Sequence, residues 1–218
     1  EGLTGKGTNT PNPETKHEKP IFYSKIDLPK ISDLEDTHFA KVYMVNRMIS
    51  PSFLSRLYFA EDFKGFTYKV TNRQYDLNEN EARIIIPFFD ENKNLIAFQG
   101  RAFTNTKLRY ITIKVDENAP KIFGLDTIDI KKQFYIVEGP IDSMFLPNCI
   151  AMAGSDISAK SLGKIANAMQ DGMGTMVFDN EPRNIEIIKR MERVIDYGWK
   201  ACIWPEYIKH KDLNDMIL

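Results

Sequence analysis

Two cysteines and three histidines are the only thiol and imidazole groups among 218 residues, so a Cys₄ zinc site cannot form. His17, His38 and His210 lack any ligand spacing and are expected at the surface. Cys149 and Cys202 both fall in predicted buried strands, which favours reduced core thiols over a disulfide and points to the cytosol. No apolar run approaches the ~18 residues a spanning helix needs, and no signal-peptide pattern opens the chain, so no membrane role is expected. Formal net charge is only −1, which rules out a globally basic nucleic-acid binder. No internal repeat is visible. Glu1 in place of an initiator Met suggests a fragment of something longer.

What is present suffices for a folded core: 43% of the residues are hydrophobic, enough for one large domain or two small ones. Residues 1–36 are mostly polar and read as a linker that cannot bury enough surface to fold alone. Residues 37–133 read as a small α+β lobe. A helical pattern (Phe39, Val42, Tyr43, Ile49) precedes a second helix expected over 52–60. Strands are predicted over 83–89, 95–103 and 108–115, with a turn at 90–94. Between 99 and 121, Arg101, Lys107, Arg109, Lys114 and Lys121 outnumber Asp116 and Glu117, a local basic surplus that also reads as a solvated face.

From residue 134 onward short apolar runs alternate with helical patterns. Strands are predicted over 134–137, 149–153, 175–178 and 201–204, with helices over 158–169 and 182–197, the second striped by Ile187, Ile188, Met191, Val194 and Ile195. Strand alternating with helix implies a parallel sheet, because right-handed crossovers return each strand in one direction. The strand C-termini then share one edge, where open α/β sheets hold ligands. Glu138, Asp179, Glu181 and Asp212 all fall at or beyond that edge, an arrangement suited to Mg²⁺. Each residue also has a purely structural reading. Asp179 and Asp212 can cap helices, and Asp142 can simply complement the first turn after Pro140.

The motifs carry a resemblance. Glu138-Gly139 with Asp142, a strand ending near Gly154, Asp179 with Glu181, and Asp212 together resemble the TOPRIM domain of bacterial-type primases, topoisomerases and some nucleases. Upstream, Arg83-Ile-Ile-Ile-Pro-Phe-Phe-Asp90, Ile96 to Ala102, Leu108-Arg-Tyr-Ile111 and Lys121-Ile-Phe-Gly-Leu125 look like the segments that precede TOPRIM in bacterial and phage primases, and His38 to Arg47 resembles the helix opening that core. Lys211-Asp-Leu-Asn214 is similar to the phage version, and the whole looks closest to the primases of T-even-like phages. Three features depart from the pattern: Glu181 replaces a usual Asp, Pro182-Arg183 replaces Ala-Gly, and Asn214 stands where bacterial primases carry Asp.

The resemblance implies an α/β TOPRIM domain over 134–218 behind an α+β lobe with antiparallel strands, forming a primase catalytic core without its zinc-binding domain. It implies a nucleotidyltransferase making RNA primers on single-stranded DNA from ribonucleoside triphosphates, with Mg²⁺ or Mn²⁺ on Glu138, Asp179, Glu181 and Asp212. Asp142 and Asp215 would support them, and Arg101, Arg109, Tyr110 and Lys121 would contact nucleotide or template. A replicative helicase is the implied partner and the cytoplasm of a phage host the implied location. A TOPRIM nuclease and a non-catalytic nucleic-acid-binding module are the competing readings. No room remains for a topoisomerase's strand-passing domain.

Overall fold

The computed structural model describes residues 26–75, 81–104, 106, 108–154 and 157–218. The first half is built on an antiparallel sheet of four strands, β1 (Tyr58–Ala60), β2 (Arg83–Phe89), β3 (Leu95–Ala102) and β4 (Tyr110–Lys114), paired in that order. Helices α1 (Phe39–Asn46), α2 (Pro51–Leu54) and α3 (Phe63–Thr71) cover it. β2 is apolar without alternation because both of its faces are buried. Ile84, Ile86 and Phe88 pack with Ala40, Met44 and Leu54, whereas Ile85 meets Phe63, Phe66 and Val70 of α3 on the opposite face.

Three expectations are corrected here. The helix over 52–60 stops at Leu54, and Tyr58–Ala60 pairs with β2 as an edge strand, its aromatic residues suited to a half-buried pleat. α3 was missed because Gly65 and two threonines dilute its pattern. Its ends are nonetheless marked, by Asp62 accepting the Gly65 amide at 2.7 Å and by Asn72 in the left-handed conformation. Residues 26–36 are not linker. Ile26 and Ile31 are buried, the Ile31 amide donates to Leu57 and Lys30 bridges Tyr58, two isoleucines having been masked by polar neighbours. The remaining expected linker, 1–25, lies outside the described residues, as does His17.

The second half is a parallel sheet in the order β6-β5-β7-β8, formed by β5 (Phe134–Val137), β6 (Cys149–Ala151), β7 (Gly174–Met176) and β8 (Lys200–Ala201). Among the described residues five helices accompany it: α4 (Pro140–Ser143), α5 (Ala159–Leu162), α6 (Lys164–Gln170), α7 (Ile185–Asp196) and α8 (Leu213–Ile217). The single helix expected over 158–169 breaks at Gly163, whose φ of +53° interrupts helical geometry. β7 and β8 are shorter than expected, although Val177 and Cys202 each donate one further ladder-like hydrogen bond. On α7, Ile187 and Val194 face the sheet while Ile195 is exposed, against its expected place in the stripe. Both cysteines are free and half-buried.

One apolar cluster serves both sheets, joining Ile84 and Phe88 of β2 to Val137, Ile141, Ala151 and Val177. The connecting chain contributes too. Phe123 exchanges two backbone hydrogen bonds with Ala151 on the edge of β6 and packs edge-to-face on Phe88 at 5.8 Å. No helix among the described residues is long and apolar enough to cross a membrane.

Candidate active site

Gly139-Pro140 ends β5 and starts α4, leaving Glu138 at the strand terminus and Asp142 in the first turn of α4. Asp179 follows β7 on the adjacent strand, and its amide points at Glu138 Oε2 at 3.5 Å. Asp142, Asp179 and Asp212 line one small cleft with Val137, Phe178, Trp204 and Leu213. The Trp204 indole donates to the Phe178 carbonyl at 2.8 Å, which braces the strand end that carries Asp179.

Electrostatics reports how closely these carboxylates crowd. Burial pushes Asp179 up to about 7, and the charges of Glu138 and Asp142 add to the rise while Lys211 opposes it. Burial, then Asp212, lifts Asp142 to about 6, although the Asn214 amide stabilises its carboxylate at 3.1 Å. Glu181 is held below its usual value by the Asn184 side chain and Lys211. Asp212 accepts the Asp215 amide at 2.8 Å and so caps α8, as its structural reading anticipated, while Asp215 is exposed. Asp179 caps no helix, since Asn184 takes that position for α7.

Two cations that sequence reasoning overlooked meet the carboxylates. Arg190 of α7 pairs with Glu138. Lys211 sits 3.0 Å from Glu181 and 3.8 Å from Asp179. Asn180 fixes this lysine's segment, its side chain donating to the Ile208 and His210 carbonyls and its amide to that of Lys211. The signal for Lys211 lay in its place directly before Asp212. Among the described residues no three carboxylate, thiol or imidazole groups converge closely enough to hold an ion. The donor set nonetheless suits a hard divalent cation, being all oxygen, mutually repelling and partly desolvated.

Beside the acidic cleft stands a basic and aromatic group. Arg101 of β3 is 2% exposed. Its guanidinium lies 4.5 Å over the Tyr110 ring, and its Nη2 donates to the Tyr43 hydroxyl at 2.6 Å. Burial lowers its affinity for the proton, and its Nε and Nη1 find no partner. Among the described residues no carboxylate pairs with Arg101, so it is not an ordinary salt-bridged strand residue. Tyr110 feels the charges of both Arg101 and Asp142, so the two groups lie within electrostatic reach of each other. Arg109 is exposed and its charge reaches Arg101. Lys121 is half-buried two residues before the Phe123 bridge. Within the basic stretch Lys114 reaches the Glu117 carbonyl and Arg73 pairs with Glu117, while Lys107 lies outside the described residues. His38 is not free at the surface but half-buried, capping α1 through the Ala40 amide. His210 is exposed.

No family model matches the chain. Solved structures do: a DnaG catalytic core aligns at a TM-score of 0.64 and 16% identity, covering 87% of this chain and 71% of that one. A DnaG primase catalytic domain bound to ssDNA aligns at 0.63 and 15%, covering 87% and 70%. The fold is that of a DNA primase catalytic core. In sequence the chain is 31% identical over 202 residues to the DNA primase of Enterobacteria phage T4, an alignment that covers 92% of the chain. It spans 57% of that relative. The expected architecture, a parallel TOPRIM-type sheet behind an antiparallel α+β lobe, is the one found.

Proposed function

We propose that this chain is the catalytic core of a phage DNA primase, which builds short RNA primers on single-stranded DNA by metal-dependent nucleotidyl transfer. The observation that carries the reading is that Asp142, Asp179 and Asp212 line one cleft of a primase-core fold, with the Arg101–Tyr110 pair near enough for Tyr110 to feel the charge of Asp142. Asp179, Asp212, Glu138 and Glu181 would hold Mg²⁺ or Mn²⁺, which supplies charge screening and alignment of the phosphoryl centre when bound. Arg101 and Arg109 attract phosphate oxygens, and Arg101 is suited to this because its charge is desolvated and unpaired. Tyr110, half-exposed beside them, offers a face on which a base can stack. Lys121 adds a phosphate contact from the connecting segment. Glu138, with an amide neighbour and an arginine partner, would act as a metal ligand or as acceptor of the 3′-hydroxyl proton, and Asp142, which holds the C-terminal turn through the Asn214 amide, would support it.

Single-stranded DNA as template is supported by the solved core bound to it, and ribonucleoside triphosphates by the reaction class. A replicative helicase as partner, action in the host cytoplasm, and a template-reading zinc module outside this chain follow from the resemblance. The test is ribonucleotide incorporation on a single-stranded template in Mg²⁺ or Mn²⁺. Labelled primers that vanish in chelator support the reading. Phosphodiester cleavage instead makes the protein a TOPRIM nuclease, and binding without either makes it a non-catalytic module.

A further inference from the structure

Asn214 is 3% exposed and each of its polar groups is engaged. Its peptide N–H donates to Asp142 Oδ1 at 3.1 Å. Its side-chain amide donates to the Arg47 carbonyl at 3.2 Å, one of the carbonyls that the end of α1 leaves without a helical partner. Its Oδ1 accepts from Arg47 Nη1. One residue of α8 therefore grips the first lobe by both side chain and backbone of Arg47 and, at the same time, grips the acidic cleft.

The charge of Arg47 is handled unusually. Its guanidinium rests 5.2 Å from the Tyr43 ring, and Tyr43 in turn accepts from Arg101. Among the described residues neither arginine has a carboxylate within ion-pair distance, and Arg47 Nε is buried without a partner. An amide oxygen satisfies one N–H but leaves the positive charge intact, whereas a carboxylate of equal size would take the guanidinium in a two-pronged pair and cancel it. Two like charges around one tyrosine repel each other, and an anion that joined them would relieve that repulsion.

Building on the primase reading above, we propose that Asn214 is a positioning residue that aims Arg47 into the cleft while sparing its charge for a phosphate group. The phosphate belongs either to the template backbone or to a nucleoside triphosphate.

The experiment measures binding of oligothymidylate across a salt series, and of ATP, to the parent chain, Asn214→Asp, Arg47→Met and the double variant, each checked by thermal unfolding. Asn214→Asp is expected to weaken one of the two probes about tenfold, as loss of one charge-assisted phosphate contact does. If the template backbone is the occupant, the salt slope for oligothymidylate also falls by about 0.7. If the triphosphate is, ATP alone weakens. In the double variant, Asn214→Asp adds nothing to Arg47→Met, because the charge it cancels is already gone. Should Asn214→Asp fail to fold, Asn214→Ser, which keeps the charge but loses the grip, is expected to weaken the same probe that Arg47→Met weakens. Unchanged binding of both probes by the folded variants overturns the proposal, as does an Asn214→Asp loss that persists on the Arg47→Met background. These outcomes are separate from the primase reading. A phosphate site that behaves as described in a chain that incorporates no ribonucleotide leaves the site standing and removes the polymerase.

Discussion

The Lys211 ammonium lies 3.0 Å from Glu181 Oε1, on the carboxylate that completes the acidic set. A cation held there competes with a divalent ion for the same oxygens. Lys211→Met is therefore expected to tighten Mn²⁺ binding severalfold, roughly two- to tenfold, given the modest worth of half-exposed ion pairs. Manganese titration followed by electron paramagnetic resonance checks this. Weaker binding would show instead that Lys211 organises the carboxylates.

The metal-free protein is expected to lose stability as pH rises. Asp179 near 7 and Asp142 near 6 in the folded state stand above the ~3.9 of an unfolded aspartate, so between about pH 4 and 7 the native chain binds more protons than the unfolded one. Their contribution is most favourable at the acidic end and is lost as pH climbs through 6 and then 7. Melting temperature recorded from about pH 5 to 8 in chelator should fall across that window, and millimolar Mg²⁺ should flatten the decline. A profile rising from 6 to 8 without metal contradicts the crowding of these two groups.

Asp179→Asn and Glu138→Gln are expected to abolish primer synthesis, by 10²-fold or roughly more, because each removes a full charge from the place where charge develops. For Asp179→Asn the stability effect should run the other way. Removing a carboxylate whose ionisation is opposed should raise the melting temperature above pH 7 without metal. Primer yield and unfolding measured on the same preparation test both halves. Retained synthesis in either variant takes that residue out of the reaction.

Arg83, 1% exposed, donates to the Gly100, Leu108 and Arg109 carbonyls and lies over Phe63 at 5.2 Å. It ties the end of β3 to the start of β4, the span that presents Arg101, Arg109 and Tyr110. Arg83→Met strands those carbonyls and is expected to cost about 2–4 kcal/mol. Weaker binding of single-stranded DNA should accompany it, read by fluorescence anisotropy. A denaturation midpoint within error of the parent would remove the tie.

The acidic half of the site was legible because carboxylates at the ends of apolar strands run against ordinary burial preference. Glu138, Asp179, Glu181 and Asp212 could be named from their places along the sheet edge, and Asp142 from the TOPRIM resemblance, without knowing a single contact. Their counter-ions could not. Arg190 falls on the polar side of an amphipathic helix, where nothing tells a solvated cation from a partnered one, and the only signal at Lys211 is its place directly before Asp212. The same holds for Arg47 and Asn214, which are 167 positions apart in sequence and meet only through tertiary folding. β2, read as a continuous apolar run, matches residue by residue, and α7 keeps its helical stripe apart from the exposed Ile195. α3 was not legible, because Gly65 and its threonines weaken the period while Phe63, Phe66 and Val70 still supply the buried face. The edge strand β1 is too short to carry a period at all.

Phe123 joins the edge of β6 while packing on Phe88 of the other sheet, and Val137, Ala151 and Val177 share a cluster with Ile84. A hinge between the two halves has no free joint to turn on, since the strap that links them is itself woven into the second sheet. Wedging the halves apart would expose a shared apolar core. On the proposed reading, substrates would be admitted by swinging side chains such as Lys211, Arg190 and Tyr110 on a stiff frame, and turnover would be paced by these local exchanges rather than by breathing of the whole molecule.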